Sequence, residues 1–98
     1  MKKSTIKAIQ QVQKERMALT LRKNHDYSGS IDNIALAGLD GIAVRIFDKA
    51  CRLMSLRSRN TQRRVLDETL EDTLKDLANY ADYGVVLMRG QWENSTEE

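Results

Sequence analysis

At 98 residues the chain has room for one domain, and 41% hydrophobic with 31% charged residues is too apolar a composition for a disordered chain. Proline is absent and glycine occurs five times, so the strongest helix breaker is missing from a sequence rich in Leu, Ala, Lys, Arg and Glu. A formal net charge of +2 lacks the chain-wide positive field of a dedicated nucleic-acid binder. No apolar run approaches a membrane span, and Met1-Lys2-Lys3 is not followed by the apolar core of a signal peptide, so a cytoplasmic location with no membrane partner is expected.

Ile6, Ile9, Val12, Met17 and Leu21 recur at helical spacing and place a first amphipathic helix over about Thr5 to Arg22, capped by Ser4. Lys23 to Gly41 holds three of the five glycines with Asn, Asp and Ser, and is expected to be loop, with a short helical turn near Asn33 to Ala37. Ile42, Ile46, Ala50, Leu53 and Met54, with Phe47 beside them, give the second helix its apolar face over about Asp40 to Leu56. Cys51, the lone cysteine, is expected to be a buried structural thiol within it.

Arg57 to Arg64 is a basic connector short enough to set its flanking helices antiparallel. Leu70, Leu74, Leu77, Ala81, Val85 and Met88 then show the clearest periodicity of the chain and place the third helix over about Leu66 to Met88, with Gly90 at the position of a C-terminal cap. The fold class is therefore all-α: a small bundle of three long helices over residues 1–90, with a polar tail at 91–98 that is expected to fray. Three amphipathic faces in so short a chain also predict a homo-oligomer.

Residues three and four apart on a helix share a face. With Glu68 at zero, Asp72, Asp76, Asn79 and Tyr83 fall within about 80° of it; with Asp48 at zero, Arg45, Arg52 and Ser55 fall within about 60° and Lys49 about 100° round. Carboxylates repeated every four residues repel one another. Two kinds of partner would offset that. Hard cations such as Mg²⁺ take one or two carboxylates together with substrate phosphates, which guanidinium and ammonium groups clamp. Equally, the stripes lie roughly opposite the apolar faces of their own helices, where solvated charge and ordinary ion pairs belong.

The glycine-containing loop contributes Lys23, His25, Asp26, Tyr27 and Asn33, either as ligand contacts or as groups that order the loop by their own hydrogen bonds. It lacks the phosphate-loop signature of nucleoside triphosphatases and any dinucleotide fingerprint. His25 has no His or Cys partner, which argues against zinc.

Three segments together resemble the nucleotide modification associated domain 1 family, small helical proteins found largely in phages and prophages. They are K-x-H-D-Y-S-G-S from Lys23, R-I-F-D-K-A-C-R-L from Arg45, and E-T-L-E-D-T-L-K-D-L-A-N-Y from Glu68. The resemblance covers about Lys23 to Met88. That family is in turn distantly similar to the MazG-type all-α nucleoside triphosphate pyrophosphatases, in which acidic residues on two helices hold Mg²⁺ against phosphates. Carried over by position, Asp48 would be the acid of the second helix and Glu68, Glu71, Asp72 and Asp76 the candidates of the third, with Lys49 and Arg52 available to phosphate; Asp48, Glu68, Asp72 and Asp76 are thus the expected metal ligands, and Lys23, His25, Asp26, Tyr27, Asn33, Arg45 and Asn79 join Lys49 and Arg52 as candidate nucleotide contacts. The MazG-type E-x-x-E is not complete, since Asp48 is followed by Cys51 and Arg52.

The resemblance thus implies a nucleotide-binding protein, with Mg²⁺-dependent hydrolysis of a nucleoside triphosphate to monophosphate and pyrophosphate as its catalytic form. The alternative is a non-catalytic protein that sequesters a nucleotide or signalling nucleotide. A small nucleic-acid-binding or protein-interaction module, suggested by Arg57, Arg59, Arg63 and Arg64, ranks last because aromatic residues are only 5%.

Overall fold

A proline-free chain can keep its backbone hydrogen bonds inside long helices, and the computed structural model, which describes residues 1–26, 33–58 and 63–93 (without the side chains of 25–26 and 63–68), contains three. They are α1 (Lys3–Asp26), α2 (Asn33–Arg57) and α3 (Arg63–Met88), with no strand among the described residues. The fold class is all-α, as the periodicity predicts. The chain divides into two units, Met1–Ser30 and Ile31–Glu98.

In the first unit, the Lys2 carbonyl accepts the N–H groups of Thr5 at 3.1 Å and Ile6 at 3.2 Å. Lys2 therefore holds the cap position, and Ser4, the expected cap, lies inside the helix. With no glycine or proline between Arg22 and Asp26, α1 runs four residues further than its apolar spacing indicates. Ile6, Ile9, Val12, Met17 and Leu21 are all exposed.

In the second unit, the short helical turn expected near Asn33 to Ala37 is present and joins the main helix across Gly38, whose φ of 65° and ψ of −157° break the helical path. A positive φ there costs an L-residue strain that glycine escapes. The expected loop from Lys23 to Gly41 is thus helical at both ends, and only residues 27–32 of it lie outside the described ones.

α2 and α3 pack against each other. Partners move toward the end of α3 as positions move toward the start of α2, so the pair is an antiparallel hairpin: Lys49 meets Asp76, Arg45 meets Tyr80, and Ile42 lies beside Gly84. The seam is formed by Ile42 and Leu56, the buried large apolar side chains of the described residues, and by Thr73 and Gly84 of α3. Thr73 donates its hydroxyl to the Thr69 carbonyl at 2.8 Å, which satisfies the group inside the seam. A Cβ on Gly84 would stand 3.3 Å from Ile42 Cγ2 and 3.6 Å from Leu39 Cδ1, so the missing side chain is what lets the helices approach.

The seam corrects the sequence reading in one respect. On α3 the face toward α2 is Thr73, Leu77, Tyr80, Gly84 and Leu87, within about 40° of one another's mean direction. Of the expected apolar face Leu77 lies on this seam, while the rest lies about 60–120° round from Thr73, where Leu74, Val85 and Met88 are 51%, 46% and 73% exposed. On α2, likewise, Phe47 and Met54 are exposed. Cys51 is exposed too, rather than buried, because it lies opposite Ile42 on the helix.

α3 ends in a Schellman motif. Gly90, at φ 67°, donates its N–H to Leu87 O at 3.0 Å, and Gln91 donates to Val86 O at 3.0 Å. The turn sends Trp92 back over Tyr83, with ring centroids 5.5 Å apart. The start of the tail is therefore packed where fraying was expected. Residues 94–98 lie outside the described ones.

Candidate functional site

The polar stripes of α2 and α3 face each other within one chain. On both helices they lie on the same side of the hairpin, opposite in rotation to the exposed apolar residues. The contact that joins them is the ion pair of Lys49 Nζ with Asp76 Oδ2 at 3.2 Å, the two side chains being 29% and 20% exposed. One turn along each helix, in opposite directions, the Arg45 guanidinium carbon sits 5.6 Å from the centroid of the Tyr80 ring. That distance is within range of a cation–π interaction. Tyr80 in turn meets Tyr83 edge to face at 5.8 Å, and Tyr83 meets Trp92.

The result is a connected row, Arg45–Tyr80–Tyr83–Trp92, running beside the Lys49–Asp76 pair. Asn79 is buried at 6% exposure, and among the described residues no buried side-chain nitrogen or oxygen lacks a hydrogen-bond partner. Lys75, on α3, pairs with Glu71 one turn earlier at 3.2 Å.

The other residues singled out from the sequence fall as follows. Asp48 and Arg52 on α2 and Asp72 on α3 are exposed, on the same two stripes. Asn33 is the exposed first residue of α2. Lys23 is half-buried in α1, and His25 and Asp26 close that helix with side chains outside the described ones. Tyr27 lies outside the described residues altogether, as does the side chain of Glu68.

Among the described residues, no three His, Cys, Asp or Glu side chains come close enough together to hold a metal ion. Asp76, the acid nearest the seam of the proposed quartet, has Lys49 as its counterion.

Sequence reasoning missed Tyr80 and Trp92. The signal for Tyr80 was available in register form: Arg45 and Lys49 are four apart, as are Asp76 and Tyr80, so an antiparallel pairing that joins Lys49 to Asp76 also brings Arg45 to Tyr80. Trp92 depends on the reversal at Gly90, which apolar periodicity does not register.

Among the described residues no helix is long and apolar enough to cross a membrane. A family model described as nucleotide modification associated domain 1 matches residues 23–88, the span from the end of α1 to the end of α3. No curated protein matches the chain, and no solved structure does.

Proposed function

We propose, for a chain that belongs to the nucleotide modification associated domain 1 family, that the α2–α3 hairpin binds a nucleotide or nucleotide derivative on its polar side. The observation that carries this reading is the row of cations on α2, Arg45, Lys49 and Arg52, set beside the aromatic row of α3 by the Lys49–Asp76 and Arg45–Tyr80 contacts. Guanidinium and ammonium groups supply charge-assisted bonds to phosphate oxygens, and aromatic rings supply stacking surface for a base. A phosphate would compete with Asp76 for Lys49. Arg52, exposed at the rim, is the cation with the least desolvation to overcome.

Binding without turnover is the form favoured by the acids. Asp76 is ion-paired with Lys49, and the MazG-type E-x-x-E is incomplete, Asp48 being followed by Cys51 and Arg52. The protein would then sequester its nucleotide, with Asp48, Glu68 and Asp72 contributing to recognition of hydrated cations that accompany the phosphates.

Titration calorimetry of the full chain with nucleoside mono-, di- and triphosphates and cyclic nucleotides, with and without Mg²⁺, tests the proposal when products are followed in the same samples. Saturable binding without product is expected. Release of pyrophosphate would replace sequestration by hydrolysis, and the absence of binding to every nucleotide would overturn the reading.

A further inference from the structure

We infer that the apolar side of the α2–α3 hairpin is the docking surface for a second copy of this chain, closing two hairpins into a four-helix arrangement. On α2, Ala43, Phe47, Ala50 and Met54 follow at steps of four, three and four; on α3, Leu74, Ala78, Ala81, Val85 and Met88 follow at four, three, four and three. This is the spacing of helices that pack knobs into holes along their length. The covered seam lies elsewhere on each helix. Measured from the buried residues Ile42 and Thr73, both rows are displaced by about 60–140° in the same rotational sense. Because the helices run in opposite directions and face each other, the same sense of rotation carries both rows to one side of the pair.

The exposure is large. Leu39, Phe47 and Met54 on α2 are 49%, 67% and 71% exposed, and Leu74, Val85 and Met88 on α3 are 51%, 46% and 73% exposed. At about 100 Å² each these six side chains present roughly 600 Å² per chain, hence roughly 1,200 Å² for two, the lower bound of a stable specific interface before the alanines are added. It is also the upper end of what a monomer leaves as a single patch.

The occupant follows from the number of rows. Two parallel rows ask for two partner helices, and the described residues hold one helix, α1, besides the hairpin. The large apolar residues of α1, Ile6, Ile9, Val12, Met17, Leu19 and Leu21, are spaced three, three, five, two and two apart, and Gln10, Gln13 and Arg16 interrupt their rows, so no heptad row of α1 is apolar along its length. A second hairpin brings two helices of matched length with two heptad rows. The same patch on both subunits makes the contact isologous and the assembly closed.

Light scattering coupled to size exclusion, run on the full chain over a range of concentrations, is expected to show twice the chain mass, with dissociation on dilution. Phe47→Glu and Val85→Glu, each placing charge on the proposed contact, are expected to give monomers that keep their helical circular dichroism, while Ser55→Glu, off the row, leaves the dimer intact. If the charged variants lose their helices, Phe47→Ala and Met88→Ala must raise the dimer dissociation constant at least ten-fold. A monomeric wild type at every concentration overturns the inference. A dimer whose dissociation constant is unmoved by all four substitutions overturns it equally.

Discussion

Lys49 of α2 and Asp76 of α3 are joined at 3.2 Å across the hairpin while both keep part of their side chain in water. The pair sits between the two regimes known for ion pairs: exposed ones contribute about 0–1 kcal/mol, and removing one partner of a buried pair costs about 3–5 kcal/mol. A double-mutant cycle with Lys49→Met and Asp76→Asn, read by urea unfolding, is expected to give a coupling of about 1 kcal/mol that shrinks in high salt. A coupling near zero in low salt would mean that the contact orders the stripes without stabilising them.

Gly84 sets the distance between the helices. Replacing it by alanine gains about 1 kcal/mol of helix propensity against a contact of 3.3 Å to Ile42 that must yield slightly, so the midpoint of unfolding should move little. Valine adds two methyl groups where there is no room, and a loss of about 1–3 kcal/mol is expected. Equal effects of the two substitutions would show that Gly84 is not at a close approach.

At Gly90 the effect is conformational rather than steric, since nothing lies near its absent side chain but its φ is 67°. Gly90→Ala is expected to cost about 1 kcal/mol or slightly more, with faster amide exchange at Gln91, whose N–H closes the cap on Val86. Unchanged exchange at that amide would separate the cap from the glycine.

For the proposed nucleotide contact, Arg45→Ala and Arg52→Ala are each expected to weaken binding about ten-fold or more, the equivalent of one charge-assisted hydrogen bond of about 1.5–3 kcal/mol. Arg45→Ala should also lower stability by about 0.5–1 kcal/mol through loss of its contact with Tyr80, and Arg52→Ala should not, being exposed. Binding constants unaffected by either change would remove the α2 cations from recognition.

Much of the architecture was legible. The periodicity of Leu70 to Met88 located α3, the basic connector implied the antiparallel return, and Gly90 marked the cap. The stripe angles also brought Lys49 and Asp76 onto polar faces, though which chain each would meet took the structure to decide. What was misread is instructive in physical terms. The strongest apolar stripe of α3 lies mostly off the line of contact with α2, where the helices touch along Thr73, Tyr80 and Gly84. Close helix packing is favoured by small residues and one satisfied hydroxyl, and such a seam has little hydrophobic contrast for a periodicity to detect. The helix start at Asn33 was seen only as a turn because the Gly38 kink hides the continuity beyond it.

The reversal after α3 has a practical consequence. Trp92 is the single tryptophan of the chain, and the Schellman turn holds its indole against Tyr83, at the end of the aromatic row that begins with Arg45. The protein thus carries its own fluorophore at one end of the polar side. Its emission maximum and quenching report directly on the seating of the tail and, through Tyr83 and Tyr80, on the environment of the α2 cations, with no label introduced.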